Sequence, residues 1–175
     1  MPDLLTPARY EGLARAAELS PCGRYRLSLR RSWKRGGDGR SICFIMLNPS
    51  TADGLDDDPT CRRCMGFARA WGFSVLSVRN LFTVRATNPA ELRTASDPVG
   101  PRADVELRAA LSADLVVAAW GTGVPFGRDR EAMKILAAKP LFCLGTTKDG
   151  SPRHPLYVKN DTELAPFNVL ERAVA

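Results

Sequence analysis

Imidazole is scarce in this chain: a single histidine, His154, stands among 175 residues, so chemistry that needs the ring has one candidate. No apolar run approaches the roughly 18 residues of a membrane span, and the N-terminus has no basic stretch leading into a long apolar core. A cytoplasmic location with no membrane partner is the expectation. Cysteines number 5, an odd count, and Cys43 and Cys143 fall inside apolar runs; this argues against a disulfide framework and for reduced thiols. Repeats, low-complexity segments and linker-like stretches are also missing, so residues 1–175 are read as one domain with a motif-bearing core over 23–160. Acidic charge is in deficit, with 19 Asp+Glu against 25 Lys+Arg and a formal net charge of +6. That balance favours an anionic partner, nucleic acid first and nucleotides second.

What is present alternates between strand-like and helix-like runs. Residues 4–17 mix leucine, alanine and charge in a way that predicts a short N-terminal helix, interrupted by Pro7. Tyr25, Leu27 and Leu29 alternate with Arg24, Arg26, Ser28 and Arg30, which predicts a half-buried strand over 24–33 with one cationic face. Gly36, Gly37 and Gly39 suit a tight reversal, so this strand is expected to form a hairpin with the run 41–47. That run, 74–78, 114–120 and 140–144 are apolar on both faces and read as central parallel strands. Helices fit between them, from the cap and first-turn pair Asp58-Pro59 through Trp71, then over 101–111 and 128–138. The βαβαβαβ order predicts an α/β fold of three α/β/α layers, with a four-stranded, mostly parallel central sheet and an antiparallel N-terminal edge strand.

Candidate site residues gather after the strands. Asn48-Pro49 follows the run 41–47; its carboxamide either holds a water or a base edge, or caps the turn. Ser50, Thr51 and Asp53 continue the loop, where hydroxyls and backbone N–H groups suit phosphate. Asp56, Asp57 and Asp58 follow; Asp58 reads as a helix N-cap, and the others either bind a divalent cation or are simply solvated. Cys61 and Cys64 form a lone CxxC without further ligands, which reads as packing, so no metal and no cofactor are called for. Trp120-Gly121 ends a core strand and permits close backbone approach, or is a plain turn. His154 lies in a proline-flanked loop after the last apolar strand, opposite the Asn48 loop. Arg24, Arg26, Arg30, Arg31 and Lys34 form a cationic stripe that either contacts a sugar-phosphate backbone or guards a solvated edge strand.

The strings Leu47-Asn48-Pro49-Ser50-Thr51-Ala52-Asp53, Asp57-Asp58-Pro59-Thr60, Asn80-Leu81-Phe82, Asp97-Pro98-Val99-Gly100-Pro101, Trp120-Gly121 and Arg153-His154-Pro155-Leu156-Tyr157 resemble a family of small bacterial proteins known only as a domain of unknown function. The order of motifs is also similar, more distantly, to the uracil-DNA glycosylase superfamily: Asn48-Pro49, then Asn80 shortly before Thr83-Val84-Arg85, then Ala119-Trp120-Gly121, then His154-Pro155. What this resemblance implies is hydrolysis of an N-glycosidic bond. Asn80 would read a flipped base, Asn48 align water on the sugar carbon, His154 stabilise the departing base, and Leu156 or Tyr157 act as a wedge. A non-catalytic nucleotide or nucleic-acid binding module, and a metal-dependent hydrolase using Asp53, Asp56 and Asp57, are the rival readings.

Overall fold

The computed structural model describes residues 12–34 and 38–167. Strands β1 (Ala14–Leu19), β2 (Arg26–Ser32), β3 (Ser41–Met46), β4 (Val75–Asn80), β5 (Leu115–Ala118), β6 (Leu141–Cys143) and β7 (Ala165–Phe167) form one seven-stranded mixed sheet. Its order is β1-β2-β4-β3-β5-β6-β7. The strands β4, β3, β5 and β6 pair in parallel, where the sequence predicts the parallel core; β1, β2 and β7 are antiparallel.

The parallel strands are apolar on both faces because both faces are covered. Ile42, Phe44 and Met46 of β3 pack in one cluster with Cys64, Met65 and Phe67 of helix α1 (Pro59–Ala70). Their neighbours Cys43 and Ile45 pack in the other with Leu107 of α2 (Ala103–Ala109) and Ala132, Met133 and Leu136 of α3 (Arg128–Leu136). Helix α1 starts where Asp58 caps it: Cys61 N donates to Asp58 Oδ1 at 2.7 Å, and Pro59 occupies the first turn. No described helix is long and apolar enough to cross a membrane.

Several expectations need correction. The sheet has seven strands rather than five. Strand β2 does not form a hairpin with β3; it pairs with β1 and β4, and β4 separates it from β3. It is therefore no edge strand. Residues 14–19 form β1 instead of helix, an exposed strand whose alternation with solvent is masked by small and charged residues; the rest of the expected helix, 4–11, lies outside the described residues.

Strand β2 carries one residue more than β1 opposite it. Ser28 pairs with Glu18 but Arg26 pairs with Leu19, which leaves Leu27 as a bulge. The extra residue reverses the in–out alternation, so Arg26 comes to the α1 face with Leu29. On the same face, β4 presents Leu76, Val78 and Asn80.

The chain leaves β3 toward α1 on one face, and the segment after β5 leads to α3 on the other. Adjacent parallel strands whose connections diverge in this way open a crevice at their C-terminal ends.

Candidate functional site

A cavity of about 560 Å³ lies at that crevice. Its lining includes Asn48, Ser50, Thr51, Asn80, Trp120, Gly121, His154, Leu156 and Tyr157, so segments expected to share a site do meet. Asp58, Thr60, Cys61 and Cys64 line it from the start of α1, and Ala86, Thr87 and Pro89 from the loop after β4.

Asn48 leaves β3 with both amide hydrogens committed: Nδ2 donates to Pro49 O at 3.0 Å and to Ala86 O at 2.8 Å. The side chain thus ties the loop after β3 to the loop after β4. Its Oδ1 takes no hydrogen bond among the described residues and is the atom left for a water or ligand donor.

At the buried end stand Arg26 and Asn80, 4% and 3% exposed. Arg26 Nη1 donates to Ala52 O at 2.7 Å, and Nη2 donates to Asn80 Oδ1 at 3.3 Å. Burial pulls the guanidinium down to about 10, opposed by the nearby Asp58 carboxylate, so it remains charged at neutral pH. Asn80 Nδ2 and Arg26 Nε are buried without a hydrogen-bond partner among the described residues.

His154 caps the 3-10 turn Pro155–Tyr157, its Nδ1 accepting from Leu156 N at 3.2 Å. An accepting Nδ1 places the ring proton on Nε2, and burial lowers the imidazole below its ordinary value against a weaker opposing pull from Asp58. The group offered at neutral pH is therefore an uncharged N–H donor. Arg63 of α1 holds this turn from beneath, Nε donating to Pro155 O at 3.0 Å and Nη2 to Val158 O. Gly121, at φ +79°, donates its N–H to Pro152 O at 2.9 Å and joins the same loop to the end of β5. Leu156 and Tyr157 are exposed at the rim, Tyr157 at 80%.

Other expected site residues have different occupations. Pro49 and Asp53 do not reach the cavity; Asp53 Oδ1 accepts from Leu55 N at 2.7 Å and Asp56 N at 2.9 Å, shaping the loop. Arg26 and Arg31 are buried, so neither belongs to an exposed cationic stripe, whereas Arg24, Arg30 and Lys34 are exposed. Arg31 Nε meets Asp57 Oδ1 at 2.6 Å, and its Nη2 reaches Asp53 O at 2.6 Å. Burial raises the Asp57 carboxyl, but the arginines beside it outweigh that and hold it below the usual carboxylate value. Much of the acidic run is thereby absorbed in folding the loop, and no group of three or more metal-ligating side chains occurs among the described residues. Burial also pushes Cys61 up to about 12 and Cys64 upward, so both thiols stay protonated and unreactive at neutral pH.

Sequence reasoning missed the roles of Arg26 as a cavity residue and of Ala86 and Thr87 in the lining. For Arg26 the deciding signal is the bulge at Leu27, which no composition reveals; for Ala86 and Thr87 the chain offers none.

Neither a curated protein nor a solved structure matches this chain. The family described as "Protein of unknown function (DUF1643)" matches residues 24–156, a span that carries all the cavity residues named above except Tyr157, and the chain belongs to that family.

Proposed function

We propose that the cavity receives a nucleobase from a nucleic acid or nucleotide and that the protein hydrolyses its N-glycosidic bond, on a three-layer arrangement similar to that of the uracil-DNA glycosylase superfamily. The observation that carries this reading is the meeting of Asn48, Asn80, Trp120-Gly121 and His154 around one cavity. Asn80 contacts the base edge, and Asn48 Oδ1 accepts a hydrogen bond from the attacking water and aligns it on the sugar carbon. The new C–O bond forms as the C–N bond breaks, its electron pair leaving with the base. His154 Nε2–H donates to the oxygen where that negative charge gathers, and the water's proton ends on the base. Leu156 and Tyr157, exposed at the rim, suit the space left by a flipped nucleotide.

Single-turnover incubation with a panel of modified-base oligonucleotides and nucleotides tests the reading. Release of free base is expected, with loss on the order of 100-fold or more in His154→Ala. Absence of release from every substrate overturns it.

One observation favours a second reading, a binding module without chemistry: the Asn48 amide is committed to two backbone carbonyls, as a purely structural side chain would be. Binding that survives Asn48→Ala combined with His154→Ala, beside an unaltered protein that turns nothing over, identifies that case.

A further inference from the structure

We propose that the buried end of the cavity is a carboxylate subsite, in which a monoanionic ligand supplies the counter-charge that Arg26 lacks within the fold. The inference goes beyond the glycosidic reading and holds whether or not a base is released.

Among the described residues three arginines are almost wholly buried: Arg26 at 4% exposed, Arg31 at 0% and Arg128 at 3%. A guanidinium taken out of water is ordinarily paired with an acid. Two of the three follow that rule. Arg31 Nε meets Asp57 Oδ1 at 2.6 Å, and Arg128 meets Asp104 Oδ1 at 2.7 Å and Glu131 Oε2 at 3.1 Å. Arg26, the one that lines the cavity, has only the neutral acceptors Ala52 O and Asn80 Oδ1, with no acid at ion-pair distance among the described residues. Asp58, the acidic residue of the lining, offsets the charge at longer range, but its oxygens accept from Cys61 N at 2.7 Å and Ala52 N at 3.3 Å.

The Nε–H of a guanidinium and one of its Nη–H groups form a parallel fork that matches the two oxygens of a carboxylate. In Arg26 the Nε of that fork is buried without a hydrogen-bond partner, and Asn80 Nδ2 is a second buried donor without one. The same face contributes Leu29, Met46 and Val78 to the lining, which offer nothing to a second negative charge. One cation therefore suits a carboxylate on an apolar body better than a phosphate dianion.

Calorimetric titration of the whole protein with benzoate, its neutral isostere benzamide and inorganic phosphate tests this, beside NMR of the Arg26 Nε–H group assigned through its own bonds. Benzoate is expected to bind on the order of 10-fold or more tighter than either of the others and to shift the Nε–H resonance. In Arg26→Gln the preference over benzamide is expected to vanish. Benzamide bound as tightly as benzoate, phosphate bound more tightly, no binding of any probe, a preference that persists in folded Arg26→Gln, or benzoate binding that leaves the Nε–H resonance in place overturns the proposal. The NMR measurement uses the unaltered chain, so it decides even where Arg26→Gln does not fold. Base release without a carboxylate preference defeats this inference alone, and a carboxylate preference without base release from any substrate defeats the glycosylase reading alone.

Discussion

At the scale of single residues, His154 and Asn48 each hold a turn or loop in place while lining the cavity. The histidine uses Nδ1 to cap its turn and lines the cavity. Because its folded value lies below the ordinary 6.5, the unfolded chain takes up the proton first as pH falls. Its contribution to stability is complete above 6.5 and is lost as pH drops through the folded value. Protonation also removes the lone pair that Leu156 N–H needs. With one histidine in the chain, a ring-proton NMR titration reads this directly, and a midpoint at or above 6.5 contradicts it. Asn48→Ala removes two loop-tying hydrogen bonds and is expected to cost about 1–3 kcal/mol in denaturant unfolding. The position of both residues was legible in the sequence, since Asn48 follows an apolar run directly and His154 lies between prolines in the loop after the last one. The commitment of the Asn48 amide was not, because its partner Ala86 is a small apolar residue 38 positions away.

At the scale of elements, the loop from β3 to α1 is set by the pair Arg31 and Asp57, both almost wholly buried. Replacing Asp57 by Asn leaves a buried guanidinium without its counter-charge, at an expected cost of about 3–5 kcal/mol in urea or guanidinium unfolding. A change below about 1 kcal/mol would show that the surrounding carbonyls of Ala16, Arg30, Asp53 and Asp56 suffice to hold Arg31. The parallel strands and all three helices announced themselves through continuous apolar runs and the Asp58-Pro59 start signal. Strands β1 and β7 did not. The first is exposed along most of its length, so packing imprints little pattern on it, and the second is only three residues long. Charge misled in the same way at Arg26 and Arg31: an arginine in a strand reads as solvated unless its buried partner is known, and those partners lie 26 to 54 residues further on.

At the scale of the whole molecule, the excess of basic residues gives a field that attracts polyanions, and Arg24, Arg30 and Lys34 are the members of the expected stripe that remain exposed. If they contact a polynucleotide backbone, replacing all three by Gln should flatten the slope of log affinity against log salt by about one unit per contact, leaving free-base binding unaltered. An unchanged slope assigns them to solvent alone. The molecule also differs from its own composition in one respect. Because Arg26 reaches the cavity through the bulge at Leu27, the cation there depends on chain length as well as on residue choice. Deleting Leu27 would keep every charged residue, restore plain alternation to β2 and turn Arg26 to the opposite side of the sheet. Among relatives, a one-residue gap at this place should therefore remove the cation from the cavity as surely as replacing Arg26 itself.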